Sequence, residues 1–450
     1  MIQDMTEGSP SRQLWLFSLP LLFSVVFQQL YNIVDSVVAG RFVGENALAA
    51  VGVSYPITMI FMAVATGANI GCSVIISQLF GARQYGRMKT AVNTSLVAVA
   101  FLSLLLTAVG LPASAPLLRL LQTPSGIFAD SALYLRVYVG GLFFLFLYNI
   151  CTGIFTALGD SRTPLYFLIA SSLGNIALDL LFVIAFHMGV GGVAWATFLC
   201  QGIASLLAFF ALIRRLRGIQ AAADDRPRVF SATMLGRISL IAIPSILQQS
   251  FVSVGNLCIQ GLVNSFGPAV IAGYSASVKL NTFAITSFST LANGLSSFSA
   301  QNIGAGKLER VKHGFRAGLI MAVIVALLFT AAFFGFSEAM VRLFVSNPTP
   351  EALEAGLQFL KLVAPFYAVV TVKLMADSVL RGAGCMAAFM ITTFSDLILR
   401  VALSYLLAGR FGAVGIWASW PVGWILSAAL SLIFYASGVW KRRASTPLPS

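Results

Sequence analysis

The sequence of 450 residues has few charged side chains, which make up 10% of the chain, whereas hydrophobic residues make up 58%. A typical soluble domain is about 25% charged. A mean hydropathy of +0.90, with apolar runs following one another along the chain, excludes an ordinary water-soluble protein. The sequence therefore predicts an all-α polytopic membrane protein.

Histidine and cysteine are also scarce. The two histidines, His187 and His313, fall at the ends of apolar runs or in loops, and the five cysteines lie inside apolar runs without metal-type spacing. An intramembrane hydrolase needs a base beside its nucleophile, and a metalloenzyme needs clustered ligands. The sequence of residues 304–308 partly resembles a nucleotide-binding loop, but it lacks the spacing to the first glycine and the final Ser or Thr of that motif. We expect neither an enzyme nor a bound cofactor.

Acidic residues are few as well. The chain has 15 Asp and Glu and 28 Lys and Arg, which gives a net charge of +13. Such an excess can indicate nucleic-acid binding. Here the largest basic groups, at 214–217, 226–228 and 441–443, stand directly beside apolar runs, as cytoplasmic membrane flanks do. We therefore expect a lipid bilayer as partner and no nucleic acid.

Cutting the chain at charged, Gly-rich and Pro-rich segments predicts twelve transmembrane helices. With the N-terminus inside, 19 basic residues fall in cytoplasmic segments and four in outer ones, which places both termini in the cytoplasm. Loops are short except at 111–129, 214–237 and 337–354. The predicted helices are 13–39, 47–78, 90–110, 130–158, 164–187, 190–213, 238–264, 269–300, 315–336, 355–380, 386–409 and 412–439.

An internal repeat relates the two halves at a nearly constant offset, as where 18–20 matches 242–244 and 117–121 matches 340–344. Two six-helix copies enter and leave on the same side, so a pseudo-two-fold axis along the membrane normal would relate them around a central cavity. The predicted organisation is an N-terminal lobe (1–213), a cytoplasmic linker (214–237) and a C-terminal lobe (238–450).

Ionisable groups inside a bilayer are costly and are candidates for function. Asp35 and Asp179 each follow a cytoplasmic arginine on an outward-going helix, and Thr197 precedes one on an inward-going helix. Counted at the rise of a helix, all three fall in the outer half of the membrane. Asn175 shares a helix face with Asp179. Together these oxygens suit Na⁺, or a proton on one carboxyl; the alternative for Asn175 and Thr197 is bonding to neighbouring backbone.

Polar residues on the first helix extend this pattern. Gln28 and Asn32 precede Asp35 at helical spacing and are predicted to face the cavity, and Pro20 is a predicted hinge. In the second half, Asn256 stands opposite Asn32, but Ile259 stands opposite Asp35, so coupling is expected mainly in the N-terminal lobe.

Three further residues are candidates for a substrate cavity. Tyr148 and Asn149 follow an aromatic run, for which packing against lipid is the alternative. Asp377 could attract a cationic substrate or form an i, i+4 ion pair with Lys373, and Asp396 could likewise pair with Arg400 four residues on.

Taken in order, several motifs of the chain resemble the multidrug and toxic compound extrusion (MATE) transporters over essentially its full length. The motifs are 19–20, 31–44, 81–83, 157–164, 189–194, 304–306 and 381–384. The resemblance implies a monomeric secondary antiporter of the plasma membrane that exports amphipathic organic cations in exchange for Na⁺ or H⁺. It also implies an N-lobe cation site at Asp35, Asn175, Asp179 and Thr197. The NorM-type branch carries a Glu on the seventh helix, which this sequence lacks.

Two other functions remain open from the sequence. Relatives in the wider superfamily flip lipid-linked saccharides, so a flippase for a lipid-linked or anionic substrate is the main alternative. Such a cavity should carry several Arg or Lys, whereas this chain offers Lys279 and a few pairable residues beside four acids. The second alternative is a channel, which would require neither buried acids nor a helix broken by proline.

Overall fold

A computed structural model describes most of the chain, and every regular element in the described part is a helix. The described residues are 3–38, 42–43, 45–221, 225–345 and 348–444, without the side chains of 33, 35–38, 45–48 and 444. The first seven α-helices are α1 (Pro10–Val38), α2 (Glu45–Gly81), α3 (Tyr85–Leu120), α4 (Ser125–Gly140), α5 (Leu142–Ala157), α6 (Arg162–Leu180) and α7 (Gly189–Arg217). The others are α8 (Ala232–Asn264), α9 (Pro268–Gly304), α10 (Leu308–Phe344), α11 (Pro350–Val363), α12 (Tyr367–Gly382), α13 (Met386–Phe411), α14 (Ala413–Ala436) and α15 (Val439–Ala444).

The helices confirm a polytopic all-α fold. Ten segments of the described chain are long and apolar enough to cross a membrane, and there are eleven if the pair α4 and α5, bent by 47°, is counted as one span. The predicted eighth span corresponds to α9, which is not among these segments. Helix α9 has 37 residues and is rich in Ser and Asn, so it is less apolar than the others. The predicted helix 130–158 is two helices, because the chain bends at Gly141.

Two predicted loops were wrong in large part. Helix α3 continues to Leu120 through Pro112 and Pro116, and α10 continues to Phe344, so most of 111–120 and 337–344 is helical. Proline and charge indicated breaks there. In a bilayer, however, a broken helix leaves backbone N–H and C=O groups without water, so helices continue through proline into the interface.

The chain forms two compact units that are not contiguous in sequence. Unit 1 contains Met1–Asp4 and Phe23–Ile246, and unit 2 contains Met5–Leu22 and Leu247–Ser450. The first part of α1 therefore belongs to unit 2 and the first part of α8 to unit 1. The sequence-based lobe boundaries do not anticipate this exchange, which takes place close to the prolines inside the two helices, Pro20 and Pro244.

In unit 1, small residues allow α2 to pack closely on α8. A Cβ atom added at Gly67 would lie 2.5 Å from the Cα of Ile246, and one at Gly71 would lie 2.5 Å from the Cβ of Ala242. The two glycines are spaced i, i+4 and so present one smooth face to α8. Close backbone approach through small residues is how membrane helices gain packing energy without a hydrophobic driving force.

The connection between α7 and α8 is attached to α3. The Asp225 carboxylate accepts hydrogen bonds from the backbone N–H groups of Gly86 (2.9 Å) and Arg87 (3.2 Å), which lie in the first turn of α3. Further along, the N–H of Ser231 donates to Thr94 Oγ1 at 3.1 Å. This part of the predicted linker is thus a docked segment that satisfies helix-end donors.

Asp160, between α5 and α6, joins the ends of two helices. Its carboxylate accepts from the N–H and hydroxyl of Thr163 (3.1 and 2.8 Å) and from the Arg215 guanidinium (2.9 Å) at the end of α7. Burial raises the pKa of Asp160, but these hydrogen bonds outweigh burial and lower it below its ordinary value. Asp160 is therefore ionised at neutral pH and both caps α6 and anchors α7.

Unit 2 encloses an aromatic core and binds residues 5–8, which precede α1. Tyr274 stacks on Trp417 with ring centroids 4.8 Å apart, and Phe359 packs edge-on against both. The N–H of Met5, a fully buried residue, donates to Gln301 Oε1 of α9 at 3.1 Å. The Arg310 guanidinium of α10 binds the carbonyl oxygens of Met5, Glu7 and Gly8 at 2.6 to 3.1 Å.

Candidate functional site

A buried amide on α6 joins three helices of unit 1. The surrounding groups require the Asn175 side chain to place its nitrogen toward acceptors and its oxygen toward a donor. The nitrogen then donates to Asp179 Oδ2 at 2.9 Å and to the Tyr31 hydroxyl at 2.8 Å, and the oxygen accepts from the Thr197 N–H at 3.1 Å. The structure thus brings together Asn175, Asp179 and Thr197, but Thr197 takes part through its backbone N–H, which is the alternative that the sequence left open for this contact.

Burial gives this cluster its chemistry. Asp179 is 0% exposed and Asn175 is 2% exposed, and both lie within an apolar span of α6. A carboxyl group at such a position favours a bound cation or a bound proton, since a bare charge there is costly. Carboxylate, hydroxyl and amide oxygens are ligands that hard cations accept. The arrangement can therefore bind a proton or a small alkali cation.

Asp35 belongs to α1, four residues after Tyr31, but its side chain lies outside the described residues. Its predicted role therefore stays a prediction. Tyr31, which the sequence analysis did not select, contacts the cluster directly. The spacing of Tyr31 and Asp35, i, i+4 on one helix, was the signal that could have identified it.

Two features surround the cluster. The Cys200 thiol of α7 lies beside the Asn175 side chain, so one of the five cysteines adjoins the polar group. A small pocket of about 50 Å³ lies where α4 ends, lined by Tyr138, Gly141, Thr197 and Gln201 among others. Thr197 is therefore shared between the polar cluster and a mostly apolar pocket at the helix break.

The other predicted cavity residues occupy varied environments. Gln28 and Asn32 are exposed on α1, with the Asn32 amide donating to Gln29 Oε1 at 3.3 Å, and Asn256 is exposed on α8. Tyr148 is half-buried, and Asn149 donates to the Leu145 carbonyl oxygen at 2.9 Å. Pro20 lies inside the continuous helix α1. Their predicted roles in substrate contact and bending stay predictions.

Asp377 is held in a buried ion pair in unit 2. Its Oδ2 lies 2.8 Å from Lys373 Nζ, and its Oδ1 accepts from the hydroxyls of Thr392 (2.9 Å) and Ser431 (2.7 Å). Asp377 is 3% exposed. Of the two alternatives that the sequence left open, the structure shows the ion pair; contact with a substrate stays a prediction.

The second i, i+4 pair that the sequence suggested, Asp396 with Arg400, is not formed in the part of the chain that the structure describes. Asp396 is 9% exposed and its Oδ1 has no hydrogen-bond partner among the described groups, and the same holds for Arg400 Nε. The Arg400 guanidinium instead lies over the Trp420 ring, 4.5 Å from its centroid.

These observations define a multi-pass membrane protein with polar sites inside its helix bundles. A family model described as MatE matches residues 20–181 and again 244–406. The chain belongs to this family, and it is a transporter rather than an enzyme. Because the same model matches once in each half of the chain, the internal repeat is confirmed.

Individual relatives agree with this assignment. The chain is 31% identical over 439 residues to "Probable multidrug resistance protein YpnP" of Bacillus subtilis (strain 168), covering 97% of each protein. It is 26% identical over 361 residues to "FAD transporter" of Shewanella oneidensis, covering 79% of this chain and 78% of that one. A solved structure of a MOP superfamily transporter from Pyrococcus furiosus matches with a TM-score of 0.91, 22% identity and 98% coverage of both chains, which confirms the fold.

Proposed function

We propose that the protein is a multidrug exporter, a secondary antiporter that moves amphipathic organic cations out of the cell in exchange for Na⁺ or H⁺. The printed names of several relatives refer to multidrug resistance or export. The observation that carries the proposal is the hydrogen-bonded cluster of Asn175, Asp179 and Thr197, in which Asn175 and Asp179 are buried within an apolar span. Buried carboxyls in a bilayer are typical of ion pathways and proton relays.

In this mechanism, the coupling ion binds at Asp35, Asn175, Asp179 and Thr197. The hydrogen bond from Asn175 to Tyr31 connects the cluster to α1. Ion loading is proposed to change the bend of α1 near Pro20, because proline removes one backbone hydrogen bond and lowers the cost of bending. The bend would release the substrate outward, and alternating access would complete the cycle.

The proposed orientation places both termini in the cytoplasm of the plasma membrane, and the functional form is a monomer. The support for orientation is the charge distribution, with 19 basic residues in one set of segments and four in the other. Gln28, Asn32, Tyr148, Asn149 and Asn256 are proposed to contact the substrate, with Asp377 contributing negative charge.

The test is dye efflux from proteoliposomes with an imposed Na⁺ or pH gradient, comparing the wild type with Asp35→Asn and Asp179→Asn. Both substitutions keep the side-chain size but remove the ionisable group, so we expect gradient-driven efflux to fall to the protein-free level. Glu354→Gln removes an exposed acid and serves as the control. An efflux rate that changes with neither the Na⁺ gradient nor the pH gradient, or full activity in Asp35→Asn, would contradict the proposal.

The second candidate is export of an anionic or lipid-linked substrate. This candidate is supported by the name of the Shewanella oneidensis relative, "FAD transporter". If an anionic flavin nucleotide inhibits dye efflux and organic cations do not, the result would identify this alternative.

A further inference from the structure

Unit 2 contains a second group of buried ionisable side chains, on α12 and α13, that the N-lobe mechanism does not use. The group consists of Lys373, Asp377, Arg381, Asp396 and Arg400, each at most 9% exposed. It contains three formal positive and two formal negative charges. Charges at such depth are retained at a cost and need a partner, a proton or a function.

The two aspartates of this group differ in their surroundings. Asp377 has a complete set of partners, with Lys373 Nζ at 2.8 Å and the hydroxyls of Thr392 and Ser431 within 2.9 Å. These three donors satisfy both carboxylate oxygens. Asp377 is therefore the fully partnered acid of the group.

Asp396 lies in a less polar environment. Its Oδ1 is buried without a hydrogen-bond partner among the described residues, and it rests against the bare backbone of α14, where a Cβ at Gly423 would lie 2.6 Å away. No lysine or arginine nitrogen in the described chain forms an ion pair with it. An unpaired carboxylate in an apolar site is costly, so Asp396 needs a partner that the observed arrangement does not supply.

Arg400, one helical turn from Asp396, is placed to respond to that proton. Its guanidinium lies over Trp420 of α14 at 4.5 Å from the ring centroid, and its Nε has no described partner. A cation over an aromatic face gains about 0.5 to 2 kcal/mol. Residues spaced i, i+4 have Cβ atoms about 5 to 6 Å apart, so a rotamer change would let the guanidinium reach the Asp396 carboxyl.

The charged groups around Asp396 come from two helices. On α12, Lys373 interacts electrostatically with both Asp377 and Asp396, and Arg381 interacts with Asp377. On α13 itself, the neighbour is Arg400. Helix α14 carries no Asp, Glu, Lys, Arg or His between Ala413 and Ala436, and neither does α8 from residue 247 on. Of the two carboxyls in the group, Asp377 has an ion pair with Lys373, and Asp396 has no ion pair among the described residues.

We propose that Asp396 is a second proton-binding site of this transporter, and that Arg400 exchanges partners with it. When Asp396 holds a proton, Arg400 lies over Trp420, as observed. When the proton leaves to water, the Asp396 carboxylate attracts the guanidinium away from the indole ring. One O–H bond breaks, the proton is released, and no other bond changes, so the step balances.

The repeat supports this location. Helix α13 stands opposite α6 in the second copy of the repeat, and α6 carries Asp179. Each unit therefore has a buried acid on the corresponding helix, although the two positions are displaced by about two helical turns. The role of Asp396 in transport rests on the proposed antiport function, whereas its proton binding does not.

The experiment measures proton binding directly, in purified protein carrying Asp35→Asn and Asp179→Asn so that the N-lobe acids are silent. Infrared difference spectra between acidic and alkaline buffer should show a protonated-carboxyl C=O band. Adding Asp396→Asn should remove that band, and about one proton fewer per protein should be released. Asp396→Glu should restore a band at a shifted position.

Four outcomes decide the proposal. Loss of the band in Asp396→Asn but not in the Glu354→Gln control supports it, as does a pH-dependent change in indole fluorescence that disappears in both Asp396→Asn and Trp420→Phe. A band that persists in Asp396→Asn would overturn it, and so would an Asp396 carboxyl that stays protonated wherever the protein remains folded. Thermal unfolding of each variant checks folding, and dye efflux in the otherwise wild-type chain tests the antiport function separately.

Discussion

Asn175 shows how one side chain can organise a site. Its amide group contributes donors to Tyr31 and Asp179 and an acceptor to the Thr197 N–H, so it links α6 to both α1 and α7. An amide is suited to this position because it offers both donors and acceptors without adding charge. Any movement of α1 relative to α6 must break or lengthen the bond from Asn175 to Tyr31.

At this scale we predict a moderate effect of Tyr31→Phe, which removes the hydroxyl that accepts from Asn175 at 2.8 Å. A neutral hydrogen bond contributes about 0.5 to 1.5 kcal/mol, so the apparent affinity for the coupling ion should fall by about 2- to 10-fold. The measurement is dye efflux as a function of ion concentration. Tyr166→Phe, at an exposed position of α6, is the matched control; equal effects of the two substitutions would refute the assigned role.

The sequence predicted part of the site and missed the rest for a physical reason. Asp179 and Thr197 could be matched in depth because a helix rises a fixed distance per residue, and Asn175 was found because it lies one turn from Asp179. The stacking of Arg400 on Trp420 could not be predicted, because it depends on how the side chains of α13 and α14 pack against each other. The same limit applies to the Cys200 thiol beside Asn175.

At the scale of elements, glycine positions decide how closely helices approach. Gly67 and Gly71 of α2 face residues Ile246 and Ala242 of α8, with almost no space for a side chain. The sequence shows the glycines but does not show which helix they face. Likewise it predicted a helix over 130–158, but not that Gly141 would separate α4 and α5 by a 47° bend.

We predict that Gly67→Ala destabilises the protein by about 1 to 3 kcal/mol, because the new methyl group would overlap the backbone of Ile246. Gly52→Ala, on the same helix, introduces a methyl group that meets nothing within 4 Å and is the control. The measurement is the thermal unfolding temperature in detergent. A Gly67→Ala protein as stable as Gly52→Ala would show that α2 and α8 are not packed this closely.

At the scale of the whole molecule, the duplicated six-helix pattern and the all-helical fold followed from composition, span length and repeat offset. The family match at 20–181 and 244–406 confirms the repeat. The sequence did not reveal that α1 and α8 each contribute to both compact units, because unit membership depends on contacts between residues far apart in the chain.

The attachment of the N-terminal segment to unit 2 gives a prediction at this scale. Arg310→Ala removes the hydrogen bonds to the carbonyls of Met5, Glu7 and Gly8. Hydrogen bonds from a charged donor contribute about 1.5 to 3 kcal/mol, so amide hydrogen exchange in residues 5–8 should become about 10-fold faster or more. Arg316→Ala, at an exposed position of α10, is the control; unchanged exchange in Arg310→Ala would contradict the attachment.

This attachment also has a consequence for biosynthesis. The N–H of Met5 is bound by Gln301, a residue synthesised 296 positions later. At about 5 to 20 residues per second, the ribosome takes roughly 15 to 60 seconds to cover that distance. During that interval the Met5 N–H has not yet met its partner Gln301. The burial of Met5 in unit 2 therefore follows the synthesis of α9, late in translation.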